Sequence, residues 1–173
     1  MEVKEAILKR RSVRSYKERK VRREKLEKIM ESVRMAPSAS NRQDWKFVLT
    51  DDPEKRERLY EVARRQSFVR EAPVVIAGVS TDPENYMSCE VEAGTVDLSI
   101  ALDHLALRAA EEGLGTCWIG AFDQDETKKI LNIPDRYKVI ALMTLGYPKK
   151  PLKKKDKPRK VLEEIISYNS LED

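Results

Sequence analysis

The chain has 173 residues, 37% of them charged, with a single His, two Cys and a net charge of +4. That length supports one domain, here 1–173, able to bury roughly two thirds of its unfolded surface. No apolar run approaches the roughly 18 residues of a membrane span, and no secretory leader opens the chain, so a reduced cytoplasmic protein with no membrane partner is expected. Abundant charge with few Asn or Gln points to a heat-adapted host.

The modest net charge hides a segregation. Residues 9–25 hold ten Lys or Arg against two Glu, and residues 149–160 hold eight against one Asp. The rest of the chain is acidic on balance. Were the two basic runs to meet, they would form one anion site on an acidic body. A basic nucleic-acid-binding module explains the same runs, but 6% aromatic residues is sparse for a base-stacking surface.

In chain order, residues 2–11 read as a short amphipathic helix with Val3, Ile7 and Leu8 on one face. Residues 22–35 form a stronger one, with Leu26, Ile29, Met30 and Val33 at helical spacing and Pro37 ending it. Trp45 to Leu49 is a strand; Asp52 then caps a helix that has Pro53 at its first position. Pro73 to Val79 is apolar and β-branched, a central strand covered on both faces, and 81–90 an ordered loop. The longest helix runs from Val91 to Glu112, with a wide stripe of Leu98, Ala101, Leu102, Leu105, Ala106 and Ala109, and Gly113 ends it. Thr116 to Gly120 is a short strand, 125–131 a short helix and Tyr137 to Gly146 a long strand. A Lys/Pro-rich stretch and an apolar segment, Val161 to Ile166, complete the chain. Helices and strands do not alternate strictly, so α+β is expected over a doubly wound sheet.

Several motifs carry little chemistry. Gly113-Leu114-Gly115-Thr116-Cys117-Trp118 starts like a dinucleotide fingerprint, but a helix precedes it and Trp118 replaces the third glycine. His104 has no second His, and Cys89 and Cys117 offer no metal spacing. Glu92, Asp97 and Asp103 read as solvated or ion-paired surface. Two segments are richer. Arg10-Arg11-Ser12-Val13-Arg14 packs three planar donor forks and a hydroxyl into five residues, a set matched to phosphate oxygens. Residues 36–45 present Ser38, Ser40, Asn41 and Gln43 just before a strand, which suits either a polar turn or a ligand edge. Gly120 ends a strand where a missing side chain admits a flat ligand.

Arg-Arg-Ser-x-Arg, Ala-Pro-Ser-x-x-Asn-x-Gln-x-Trp, Gly-Leu-Gly-Thr-Cys-Trp-Ile-Gly, and Leu-Gly-Tyr-Pro with a later Lys-Pro-Arg together resemble the FMN-dependent nitroreductase family over residues 6–165. The resemblance implies an α+β homodimer with a central mixed or antiparallel sheet flanked by helices. It also implies two FMN molecules at the subunit interface and electrons passed from NADH or NADPH to a small-molecule acceptor. By position, Arg10, Arg11, Ser12 and Arg14 resemble the residues on the FMN phosphate and adjacent ring edge, and Arg159 the closing arginine. Pro37, Ser38, Ala39 and Asn41 resemble the loop given by the partner subunit, and Ile119 and Gly120 the backbone facing flavin N5 and O4. Gln66 is placed at the pyrimidine edge, and Tyr86 and Met87 in a lid. The family usually has Pro where this chain has Asp44. The implied mechanism is a two-step exchange at N5 ending on a nitroaromatic or quinone; a non-enzymatic flavin sensor or storage protein on the same scaffold is the alternative.

Overall fold

The computed structural model describes residues 1–152 and 158–171. Its elements in chain order are α1 (Val3–Lys9), α2 (Arg23–Arg34), β1 (Trp45–Thr50), α3 (Pro53–Val62), α4 (Phe68–Glu71) and β2 (Val74–Ser80), followed by α5 (Ala93–Glu111), β3 (Gly115–Ile119), α6 (Gln124–Leu131) and β4 (Lys138–Gly146). Asp52 caps α3 by accepting from the amides of Glu54 and Lys55, with Pro53 at the first position, and Asp123 caps α6 by accepting from the Glu126 amide.

The four strands form one sheet in the order β1-β2-β4-β3, and every neighbouring pair is antiparallel. The expected mixed character is limited to one isolated parallel bridge, Ser12 with Thr116. Every residue of β2 is buried, as its unbroken apolar run requires of a strand covered on both faces. On one face α2 and α5 pack Ile29, Val33, Leu102 and Leu105 against Ile76, Met143 and Leu145. On the other, α3, α4 and α6 pack Leu59, Phe68, Val69 and Ile130 against Val75, Ala77 and Leu142.

The apolar stripe of α5 is entirely consumed here: Leu98, Ala101, Leu102, Leu105 and Ala109 are all fully buried within one protomer. The segment after Pro158 behaves in the opposite way. Val161, Leu162, Ile165, Tyr168 and Leu171 are exposed, so this segment does not fill the protomer's own core. Strand β3 starts one residue earlier than expected and stops at Ile119, leaving Gly120 just past its end. The single-turn helix α4 has no counterpart in the sequence reading.

Candidate functional site

Strand β3 is an edge strand, and an unpaired edge recruits any chain that can meet its donors and acceptors. Here the recruit is the arginine-rich segment. Val13 donates its amide to the Thr116 carbonyl at 2.8 Å, and Val13 itself is buried against the far-face core. The approach is close enough to require a glycine: a Cβ on Gly115 would sit 2.8 Å from Val13 Cβ and closer still to Val13 Cγ2. Tyr16 locks the far end of the segment. Its buried hydroxyl donates to the Val13 carbonyl at 2.7 Å and shares a 2.7 Å hydrogen bond with the Thr144 hydroxyl on β4. Burial pushes the Tyr16 phenol up from its ordinary value of 10.0.

This pairing sets Arg10, Arg11, Ser12 and Arg14 along the free edge of β3, beside the strand that leads into Ile119 and Gly120. None of the three arginines has a carboxylate partner among the described residues. Arg11 is the most telling: its Nε and Nη2 are enclosed and meet no acceptor among the described residues. Enclosed guanidinium donors without acceptors are costly, and an anion would satisfy them. Arg14 lies over the Phe68 ring at 5.8 Å, which brings it to the turn that holds Gln66. Gln66 itself donates from Nε2 to the Ala63 carbonyl at 3.0 Å. Burial pushes the Cys117 thiol up, opposed by the Arg14 charge and a Ser12 hydrogen bond.

Arg10 and Ser12 line a depression of about 200 Å³ together with Ser99, Asp103, Thr116 and the half-exposed Trp118. Gly120 is exposed in open space; the nearest atom to a Cβ placed there would be Trp118 Nε1 at 3.9 Å. A larger cavity of about 710 Å³ is lined by Tyr16 to Val21 and Lys149 on one side and by Asp51 and Val74 on the other, and none of the predicted site residues lines it.

The second basic run begins where expected. Lys17 donates its amide to the Tyr147 carbonyl at 2.8 Å and Lys149 donates to the Ser15 carbonyl at 3.1 Å, so the run starts against the arginine segment. Residues 153–157 of that run lie outside the described residues. Arg159 is exposed, and its only partner among the described residues is the Pro158 carbonyl.

The other predicted loop sits across the sheet. Pro37, Ser38, Ala39 and Asn41 precede β1, at the edge opposite β3. Ser40, Asn41 and Gln43 all have positive φ, at 51°, 54° and 56°. Left-handed backbone at three non-glycine residues is costly and marks a conformation the surroundings enforce. Ser38 Oγ accepts from the Gln43 amide at 3.0 Å, and the Ala39 amide donates to Asp97 Oδ1 at 3.0 Å. Asp97 is thus not solvated surface but a buried acceptor, 6% exposed, that anchors the loop to α5. Its phase was the available signal, since Gly94, Asp97, Leu98 and Ala101 share one buried face. Glu92 is ion-paired, to Lys138 at 2.8 Å. Tyr86 bridges Glu92 and is exposed, and Met87 is half-buried in the same compact loop. His104 is bonded to the Ser32 carbonyl and ties α5 to α2. Among the described residues no three His, Cys, Asp or Glu gather as metal ligands.

The family model described as Nitroreductase family matches residues 7–66 and 60–147. The chain belongs to the nitroreductase family and is an oxidoreductase of that family. It is 30% identical over 179 residues to an NADH dehydrogenase of Thermus thermophilus, covering 86% of this chain and 87% of that one. An FMN reductase [NAD(P)H] of Bacillus subtilis is 29% identical over 164 residues, covering 85% and 66%. Among solved structures, a nitroreductase family protein of Clostridium difficile superposes with a TM-score of 0.88 at 31% identity, covering 99% of this chain and 100% of that one. No helix among the described residues is long and apolar enough to cross a membrane.

Proposed function

We propose that the protein holds FMN between two copies of the chain and passes electrons from NADH or NADPH to an electron-poor small molecule such as a nitroaromatic or quinone. The observation that carries this reading is the arginine segment on the β3 edge, without carboxylate partners among the described residues and with two enclosed Arg11 nitrogens that none of those residues satisfies. A dianionic phosphate matches that donor set in charge and in geometry. In this reading Arg10, Arg11 and Ser12 hold the phosphate, Arg159 closes over it, and Arg14 faces the ring edge where reduced flavin gathers negative charge. Gln66 serves the pyrimidine edge, and Ile119 and Gly120 give a backbone without obstructing side chains at N5 and O4. Bound flavin supplies the redox chemistry; the chain binds, orients and excludes water. No general base is required of it.

A second copy is part of the proposal because one protomer divides the site. The arginine segment lies outside β3 and the 37–41 loop leads into β1, the two edge strands of a four-stranded sheet, which are themselves three interstrand spacings or roughly 14 Å apart. The 200 Å³ depression is smaller than the roughly 300–1,000 Å³ usual for ligand sites. A partner's loop would complete it, and the exposed apolar side chains from Val161 to Leu171 would find cover on the partner. The relatives fit this reading: one is named an NADH dehydrogenase, another an FMN reductase using NAD(P)H.

The purified protein is expected to absorb at roughly 370 and 450 nm, as oxidised flavin does, and to bleach on anaerobic addition of NADH or NADPH. Arg10→Ala and Arg11→Ala should each cost about 1.5–3 kcal/mol of FMN affinity, which is roughly 10- to 150-fold in Kd. Colourless protein that takes up no added FMN, or unchanged affinity in both variants, overturns the assignment.

A further inference from the structure

Arg42 stands at the exit of the strained 38–43 loop, and its guanidinium reaches two carboxylates at once. Nε donates to Asp44 Oδ2 and Nη2 donates to Asp82 Oδ2, the latter at 2.7 Å. Asp44 is two residues on, at the entry to β1; Asp82 lies forty residues away, just past the end of β2. The backbone closes the same circuit, because the Thr81 amide donates to the Asp44 carbonyl at 3.1 Å. One side chain therefore ties the loop to its own exit and to the neighbouring β2 turn. The two carboxylates hold the Arg42 charge more firmly than usual, Asp44 contributing most.

The identity of residue 44 gives this arrangement its meaning. A proline there would push Gln43 toward extended backbone. Asp44 instead leaves Gln43 at φ 56° and supplies a carboxylate in the same stroke. Held so, Gln43 donates its amide to Ser38 Oγ at 3.0 Å and its Nε2 to the Asn41 carbonyl at 3.2 Å, which fixes the two polar residues the loop presents. Asp97 fixes the loop's inner side through Ala39; the ionic clasp fixes its outer side.

We infer that Arg42, with Asp44 and Asp82, is a positioning residue for the cofactor: the clasp is a salt-sensitive ionic tie that presents Ser38, Ala39 and Asn41 to the flavin held by a second copy. The inference rests on the flavin reading above. None of the three side chains is placed on the flavin itself, so their effect travels through the loop.

The test compares full-length wild type with Arg42→Gln, Asp44→Asn and Asp82→Asn, each stripped of flavin and titrated with FMN. Arg42→Gln should weaken FMN about two- to ten-fold at low salt, the range open to two exposed ion pairs. The visible circular dichroism of bound flavin should change with it. Raising salt from about 50 mM to about 500 mM screens exposed pairs, so the ratio of variant to wild-type Kd should shrink toward one. The charge-exchanged chain carrying Arg42→Glu, Asp44→Lys and Asp82→Lys should regain affinity and spectrum. A merely stabilising role would shift the melting temperature and leave ratio, spectrum and salt response alike. Equal Kd and identical visible dichroism in Arg42→Gln at low salt overturn the clasp while leaving the flavin reading intact. Wild type that binds no FMN overturns both.

Discussion

Replacing Gly115 with Ala tests the contact on which the site's geometry depends. The added methyl would sit 2.8 Å from Val13 Cβ and 3.0 Å from Val13 Cγ1, with Cγ2 nearer still. Rotating the Val13 side chain relieves the methyl clashes but not the Cβ clash, because Cβ is fixed to the backbone. Ordinary contact begins near 3.4 Å, so the arginine segment and β3 must part by about 0.6 Å. That separation falls on the 2.8 Å bond from the Val13 amide to the Thr116 carbonyl. Overpacking of this kind costs about 1–3 kcal/mol, and loss of the hydrogen bond about another 0.5–1.5 kcal/mol. A combined loss of roughly 2–4 kcal/mol lowers the melting temperature of a chain this size by about 5–15 °C. Because the shift also carries Arg10–Arg14 away from Gly120, FMN affinity should fall at least about ten-fold, as sub-ångström misplacement does in preorganised sites. Differential scanning calorimetry and an FMN titration read both effects. A Gly115→Ala protein that melts and binds like wild type would show that β3 does not position the arginine segment.

Tyr16→Phe should cost about 1–3 kcal/mol at neutral pH, since the Val13 carbonyl and Thr144 hydroxyl stay buried with a partner lost. The folded phenol titrates above 10.0, so its contribution is complete below that pH and fades as the pH rises, the unfolded chain ionising first. Denaturant melts should therefore show the gap between wild type and Tyr16→Phe narrowing above pH 10, by about 1.4 kcal/mol per unit; a constant gap refutes the burial. The half-exposed Trp118 lines the Arg10–Ser12 depression, so FMN titration should quench tryptophan emission. Trp118→Phe should abolish most of that quenching, whereas undiminished quenching would place the flavin elsewhere.

The fold was legible wherever burial alone decides local structure. The apolar run from Pro73 to Val79 has one stable home, between two covered faces, and β2 occupies it. The α5 stripe reads as a central helix and is one. Short elements escaped because packing, not local preference, makes them. The four residues of α4 are helical because Phe68 and Val69 must both reach the far-face core, and no periodicity is visible over one turn. The α5 stripe and the apolar Val161–Ile166 segment both read as more apolar surface than one domain needs, and only packing separates them: the stripe is buried in the protomer and the segment is exposed.

The site divides along the same line. Charge segregation pointed to the arginine segment and to its meeting with the second basic run, and both are properties of composition that folding need only preserve. What composition does not encode is which strand edge receives the segment, since Val13 and Thr116 pair across more than a hundred residues. The Gly113–Gly115 pair looked like a helix cap and strand entry, yet only Gly113 is needed for its backbone, at φ 75°. Gly115 is needed for what must touch it. Asp97 shows the converse error: an acidic residue in a helix is ordinarily surface, and only its sharing of a face with Leu98 and Ala101 argued otherwise. A buried carboxylate on an apolar face requires a donor, and the donor proves to be a loop with three left-handed residues to hold. An acidic side chain in phase with a helix's apolar stripe is therefore a pointer to a constrained loop elsewhere in the chain. In this protein that loop is the segment the proposed function assigns to the partner's flavin.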